Sequence, residues 1–319
     1  MMQEKIIDFL KNKHGYISGD AMSERLSISR QALWKHIQEL KDAGYDIIAV
    51  PHLGYQLISS PDRLFPFEIS RILQTKSLGR KIHYFEEIGS TMNAAMQLGS
   101  EGAGEGTLVV AESQKKGRGR LSRDWFSPKY KGIYMSLILK PQILPAQAAI
   151  LTLLAAISIC EALKQACGLE ARIKWPNDIF MHNKKLGGIL TELNAETDRI
   201  KFMVIGTGLN VNNDKKSLPQ GATSLREQKK EWISRVSLVG QILFAIEENY
   251  LLFQKKGASF IIEKWRQYSL TLGKRVKVLC QKECIEGMAV EIDSDGGLLV
   301  RRDSGTIEKV MAGDVMHCR

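Results

Sequence analysis

The sequence predicts an α/β (α+β) chain of several domains: a winged helix-turn-helix, a central domain on a mixed sheet, and a small β module. Three observations carry this. The first 60 residues hold three short amphipathic helical patterns followed by two strand-like runs. The middle mixes apolar strand-like runs with long helices, without the regular alternation of a doubly wound sheet. From Thr271 onward only short strand-like runs remain. At 319 residues, 44% hydrophobic and 25% charged, the chain is long enough for two or three domains and has an ordinary globular composition.

Within residues 1–60, Ile6, Ile7, Phe9 and Leu10 mark the inward face of a helix over 2–13, and 20–26 is a short second helix. Ser27 and Ser29 offer caps to a third, 30–43, which Gly44 stops. On it Leu33, Ile37 and Leu40 share one face, and Gln31, Trp34, Lys35 and Gln38 the other. Strands over 45–50 and 55–58, joined by Pro51-His52-Leu53-Gly54, make the wing. If the third helix enters a major groove, Ser29, Arg30, Gln31, Trp34 and Lys35 meet bases and phosphates. The competing reading is an interaction module that binds no DNA, with Trp34 flanking the core. Seven basic against seven acidic residues leave residues 1–60 neutral and favour that rival; the tight helix-turn-helix with its wing favours DNA.

Ser59-Ser60-Pro61-Asp62 reads as a linker. A central domain over 66–270 then carries strand-like runs at 107–112, 133–140, 189–193 and 202–205, and helices at 146–167, 234–253 and 260–268. It has no Walker loop, so any ATP is held in another manner. The apolar run 148–160 is too short to span a bilayer, which takes ~20 residues. It reads as a buried helix, with Pro145 near its start and Gly168 past its end. Residues 271–319 form the last domain, with strands at 276–279, 287–292, 298–301 and 306–310, and a turn at Asp295-Gly296-Gly297.

Five scattered cysteines (Cys160, Cys167, Cys280, Cys284, Cys318) and no secretory pattern at the N-terminus point to a reducing cytoplasm. Cys280 and Cys284 lack a second pair at zinc spacing. The net charge of +10 suggests an anionic partner. It is concentrated at residues 112–131, with seven basic residues against two acidic.

That segment contains Gly117-Arg118-Gly119-Arg120, then Arg123 and Trp125. Glycine lets a chain approach a ligand closely, and arginine presents a planar fork to carboxylate or phosphate oxygens. Lys174-Trp175-Pro176-Asn177-Asp178 and Lys185-Leu186-Gly187-Gly188 follow. Alone, the first run is an ordinary basic loop and the second a strand end with a turn. Together they describe a place where a carboxylic acid meets a nucleotide phosphate.

With Ser90-Thr91-Met92-Asn93 upstream and Gly206-Thr207-Gly208-Leu209-Asn210 downstream, the set resembles biotin–protein ligases, most closely the bifunctional bacterial type that is also the biotin operon repressor. The resemblance runs over nearly the whole chain. It implies a class II synthetase-like central domain, an SH3-like C-terminal barrel, and a reaction in two steps. Biotin and ATP, with Mg²⁺, give biotinyl-5′-AMP; a lysine of a biotin carboxyl carrier domain then takes the biotin. The acceptors implied are that of acetyl-CoA carboxylase and other biotin-dependent carboxylases. The retained adenylate acts as corepressor, favouring a homodimer on operator DNA.

The resemblance also assigns residues. Lys185, Arg118, Arg120 and Asp178 are catalytic; Asp178 either binds Mg²⁺ or deprotonates the acceptor lysine, against a plain reading as a turn residue. Ser90, Thr91, Asn93, Gln114, Gly117, Arg118, Lys185, Gly188, Gly206 and Gly208 face biotin, although Met92 competes with Asn93. Arg120, Arg123, Trp125, Lys174, Asn177 and Asn210 face the adenylate. Trp125 either closes over adenine or anchors the loop, Trp175 is structural, and Lys184 is the rival of Lys185. The loop is disordered when empty and ordered when filled. Ser122 stands where a third glycine is usual, which stiffens it. Two other functions fit less well: a biotin-sensing regulator without catalysis, and a lipoate or octanoate ligase, whose longer, drier slot would not need Ser90, Thr91, Asn93 and Gln114.

Overall fold

The computed structural model describes residues 2–13, 15–279 and 284–317; Cys280 and Cys318 lie outside the described residues. The chain divides into two compact units, Met1–Arg63 and Leu64–Arg319.

The first unit contains helices α1 (Met2–Lys11), α2 (Gly19–Leu26) and α3 (Arg30–Asp42), then strands β1 (Asp46–Val50) and β2 (Gly54–Ser59). Ile6, Ile7, Leu10, Met22, Leu33, Ile37 and Leu40 are buried, as the helical periodicity requires. Phe9 is only half-buried, with Lys13 and Arg25 over its ring. Ser29 caps α3 by accepting from Ala32 N at 3.1 Å. Ser27 does not cap α3; in the left-handed region it closes α2. β1 and β2 pair antiparallel, making the wing.

The second unit is built on a seven-stranded sheet with strand order β3-β4-β5-β9-β8-β7-β6. Its strands are β3 (Ile82–Phe85), β4 (Leu108–Ala111), β5 (Gly132–Leu139), β6 (Arg172–Lys174), β7 (Asp178–Met181), β8 (Lys184–Ala195) and β9 (Ile200–Asn210). β3 and β4 are parallel, and the other neighbours antiparallel. Six helices accompany it: α4 (Pro66–Ile72), α5 (Thr91–Ser100), α6 (Ala148–Cys167), α7 (Leu225–Lys229), α8 (Arg235–Lys256) and α9 (Ala258–Tyr268).

Strand alternation sorts the side chains to two faces. Leu108 and Val110, Ile133 to Leu139 at odd positions, and Met203 and Ile205 join the large core with α6, α8 and α9. Val109, Ile138, Phe202 and Val204 face the other way, onto Met92 and Ala95 of α5. Just past β4 a buried ion pair joins Arg235 of α8 to Glu112 at 2.7 Å, and Arg235 also donates to Gly132 O at 3.2 Å. Both ends of the Gly/Arg segment are thereby tied to one guanidinium.

Strands expected over 189–193 and 202–205 are the middles of β8 and β9. By length and composition Pro145–Cys167 and Arg235–Lys256 could each cross a membrane, but 72% and 61% of their apolar windows are buried inside the protein. Burial, rather than shortness, is what identifies the first as a core helix.

The C-terminal strands β10 (Arg275–Leu279), β11 (Cys284–Ile292), β12 (Leu298–Arg301), β13 (Ile307–Val310) and β14 (Asp314–His317) form an antiparallel sheet in the order β13-β12-β11-β10-β14. It shares the large core through Val276, Val278, Leu298 and Val300. Trp175 is structural: it is buried and donates its indole N–H to Gly296 O at 3.0 Å.

Candidate active site

The α5 face of the sheet changes character along its strands. The cross-strand row Ile138–Val204–Glu192 is followed by Ser136–Gly206–Leu190, then by Tyr134–Gly208–Gly188–Asp178. Where large apolar residues would continue, serine and glycine leave space. A cavity of about 260 Å³ lies there.

Its lining includes Ser90, Thr91, Gln114, Arg118, Arg120, Arg123, Trp125, Asn177, Asp178, Lys185, Gly188, Gly206, Gly208 and Asn210. Most of the residues singled out in the sequence are thus brought together from loops and strands far apart in the chain. Three are not in the wall. Asn93 sits at the rim bonded to Arg118, Gly117 lies at the base of the loop beside Trp125, and Lys174 points to the Phe180 ring.

The Gly/Arg segment is a hairpin over this cavity. Trp125 N donates to Gly117 O at 2.9 Å and Gly119 N to Arg123 O at 2.7 Å, with Arg118 opposite Asp124. Leu121 and Ser122 turn it through the left-handed region, at φ 53° and 57°. Each arginine has a partner. Arg118 bonds Asn93 and Glu192, Arg123 bonds Asp314 of β14, and Arg120 donates to Asn177 Oδ1 at 3.1 Å and Gly313 O at 3.5 Å. Burial lowers the pKa of the Arg120 guanidinium, and Asp314 and Asp178 oppose that shift. Burial likewise lowers Lys174, against the pull of Asp178.

Lys185 Nζ pairs with Asp178 at 2.7 Å and lies 5.6 Å from the centre of the Trp125 ring. Its rival Lys184 pairs with Glu227 at 3.5 Å. The Lys185 backbone holds a further wall: Lys185 N donates to Gly221 O and Thr223 N to Lys185 O, both at 2.9 Å. This seats residues 219–222 against the cavity.

At the other end, a relay of hydrogen bonds runs from floor to hairpin. Ser136 Oγ donates to Thr91 Oγ1 (2.9 Å), Thr91 Oγ1 to Gln114 Oε1 (3.1 Å), Gln114 Nε2 to Ser127 Oγ (3.0 Å), and Ser127 Oγ to Trp125 O (3.0 Å). Gln114, expected to face a ligand, therefore uses its amide to tie α5 to the hairpin. Asn177 similarly holds Arg120 and Ile189 O, and Asn210 donates to Thr223 O. Two buried polar atoms at the cavity have no hydrogen-bond partner among the described residues: Ser90 Oγ and Trp125 Nε1. Such groups are costly to bury unless a ligand meets them.

The two glycines expected to make room for a ligand line the cavity and also leave room for neighbours. A Cβ on Gly208 would lie 2.4 Å from Trp125 Nε1, and one on Gly206 would lie 2.8 Å from Met92 Cε. Sequence reasoning missed Pro219–Ala222 because their place follows from a pairing with Lys185, and Asp314 because it arrives from a separate sheet. Met135 and Leu190 fall inside the strand-like runs 133–140 and 189–193 and carry no separate signal. Glu192 had one available signal, a carboxylate on the apolar face of a strand.

The comparisons agree with this geometry. Residues 84–210 match the biotin/lipoate A/B protein ligase family, residues 2–56 an HTH domain, and residues 271–317 the biotin protein ligase C-terminal domain. The chain is 40% identical to the bifunctional ligase/repressor BirA of Bacillus subtilis, over 94% of this chain and 93% of that protein. It is 31% identical to the bifunctional ligase/repressor BirA of Escherichia coli, over 98% and 95% respectively. A solved biotin protein ligase from Aquifex aeolicus, in complex with biotin and ATP, superposes with a TM-score of 0.65 at 30% identity, over 75% of this chain and 99% of that one. The three matched segments and these identities, over more than nine-tenths of the chain, place it in the biotin protein ligase family, as a bifunctional ligase/repressor.

Proposed function

We propose that the cavity makes biotinyl-5′-AMP from biotin and ATP and passes the biotinyl group to a carrier lysine. The observation that carries this is the polarity of the two ends. One is a slot beside Met92 and Leu190 with the Ser90 hydroxyl, which has no partner among the described residues; the other holds Arg120, Lys185 and the Trp125 indole. The ureido ring of biotin suits the first, with Ser90 Oγ–H meeting its carbonyl. A triphosphate and adenine suit the second.

In the first step a biotin carboxylate oxygen bonds to the α-phosphorus as the bond to pyrophosphate breaks. Two anions meet, so fixed cations must neutralise the charge. Arg118, Arg123 and Lys185 each already meet a carboxylate, whereas Arg120 donates to neutral acceptors. Arg120 is therefore the cation best placed for the α-phosphate, and Lys185 joins it by exchanging Asp178 for the incoming oxygens. Asp178, released, accepts a proton from the acceptor ammonium. In the second step that amine bonds to the biotin carbonyl carbon and AMP leaves. Mg²⁺ enters with ATP as part of the substrate. Among the described residues no group of three or more His, Cys, Asp or Glu is arranged to hold an ion; Asp178 would be the carboxylate to meet Mg²⁺ in the first step, where the ion would offset phosphate charge, before serving as the base in the second.

The acceptor is the carrier domain of acetyl-CoA carboxylase, with other biotin-dependent carboxylases as further acceptors. The adenylate-loaded chain pairs as a homodimer on two-fold operator DNA in the cytoplasm. Exposed Gln31, Trp34 and Lys35 then read the major groove, with Arg30 released from Asp20, which it meets at 3.2 Å. Biotin-dependent pyrophosphate–ATP exchange tests the reading. Exchange with biotin, none with lipoate, and loss in Lys185→Ala are expected; exchange driven by lipoate, or absent altogether, refutes it.

A further inference from the structure

Glu192 occupies a position where the strand pattern calls for an apolar side chain. Its row neighbours Ile138 and Val204 are fully buried, and Gly188, Leu190 and Glu192 share one face of β8. A carboxylate there needs a cation. The cation comes from the hairpin: Arg118 Nη2 donates to Glu192 Oε1 at 2.5 Å, and Nη1 donates to Asn93 Oδ1 of α5 at 2.6 Å. Arg118 thus straddles the rim, one row beyond the cavity floor, gripping β8 and α5 together.

We infer that Glu192 is a positioning residue for the lid: by holding Arg118 it keeps the hairpin seated and sets how fast the adenylate escapes. The inference rests on the adenylating reading above. Paired backbone groups at Gly117 and Trp125 and at Gly119 and Arg123 make the hairpin move as a unit, so a grip on Arg118 also restrains the Trp125 indole. The ion pair is suited to a latch that must open. Its side chains keep 45% and 27% of their exposure, so its strength is modest and falls with salt. Carboxylate is needed for this and an amide is not enough, because the grip is electrostatic as well as geometric.

The test uses the full chain loaded with labelled biotinyl-5′-AMP and follows release into excess unlabelled biotin and ATP, at low and high salt. Glu192→Gln should release about fivefold faster at low salt. Wild-type release should accelerate with salt toward that of the variant, whose rate should hardly respond. Asn93→Ala, which keeps the ion pair, should release faster than wild type yet retain the salt dependence. Normal adenylate formation with unchanged escape in Glu192→Gln, or with an unaltered salt slope, overturns the latch alone. A wild-type chain that forms no adenylate overturns the catalytic reading as well.

Discussion

Trp125 lies where it does because Gly208 has no side chain. A Cβ at 208 would come within 2.4 Å of Nε1 and 2.5 Å of Cε2 of the rigid indole, closer than non-bonded atoms approach. Gly208→Ala should therefore displace the ring, cost about 1–3 kcal/mol of stability, and raise the KM for ATP about tenfold, the loss expected when ~1.4 kcal/mol of ring contact goes. Exchange kinetics with a thermal melt would check this; an unchanged KM for ATP would remove Trp125 from the nucleotide end. Gly206→Ala should be milder, since the obstructing atom is the flexible end of Met92. The predicted residues that line the cavity were legible from several short runs taken together and from the family they resemble, since each run alone reads as an ordinary basic loop or strand end. Their divisions of labour were not. Gln114, Asn177 and Asn210 carry amides suited to a ligand, and only the fold reveals that neighbouring backbone and side chains already engage them.

At the scale of elements, α8 anchors the entrance to the catalytic unit. Glu247, almost wholly buried, accepts hydrogen bonds from the backbone N–H of Lys76 (2.6 Å), Ser77 (2.7 Å) and Leu78 (2.9 Å), and from the Ser77 hydroxyl. Burial alone would raise its pKa; the donors outweigh burial and hold it below the ordinary 4.5. A carboxyl whose folded pKa is depressed stabilises the fold above its unfolded pKa and loses that contribution as pH falls through the folded value. Glu247→Gln should cost about 1–3 kcal/mol at neutral pH, and the gap from wild type should narrow as pH falls below 4.5. Melts at several pH values would check it, and a gap independent of pH would show that shape rather than charge matters. The long helices were legible from unbroken apolar content. α5, β6 and β7 were not: the Met, Ala and Leu of α5 are interspersed with Thr, Asn, Gln, Gly and Ser in a ten-residue stretch, and β6 and β7 are three and four residues long. β14 was missed because its alternation, Asp314 to His317, spans only four residues at the end of the chain.

At the scale of the molecule, Leu64–Arg319 holds its own core and the whole cavity, while Met1–Arg63 carries the helix-turn-helix and wing. The Aquifex aeolicus ligase is matched over 99% of its length by 75% of this chain, so a ligase of that smaller size exists. Removing residues 1–63 should abolish operator binding and leave biotin-dependent exchange. A folded truncation without exchange would make the first unit part of the catalytic machine. The domain order was legible from changes of periodicity, because each kind of packing imposes its own repeat; the cavity's depth was not, because it arises where three strands align their smallest residues. That alignment has a thermodynamic side. The floor of the cavity, from Ser136 and Gly206 to Gly208 and Gly188, is mostly main chain, with few torsions left to freeze when a ligand settles there. The entropy of binding is then lost almost entirely by the hairpin and the 219–222 wall. Affinity can be tuned by how ordered those segments are beforehand, with the floor, and so the identity of what fits on it, left as it is.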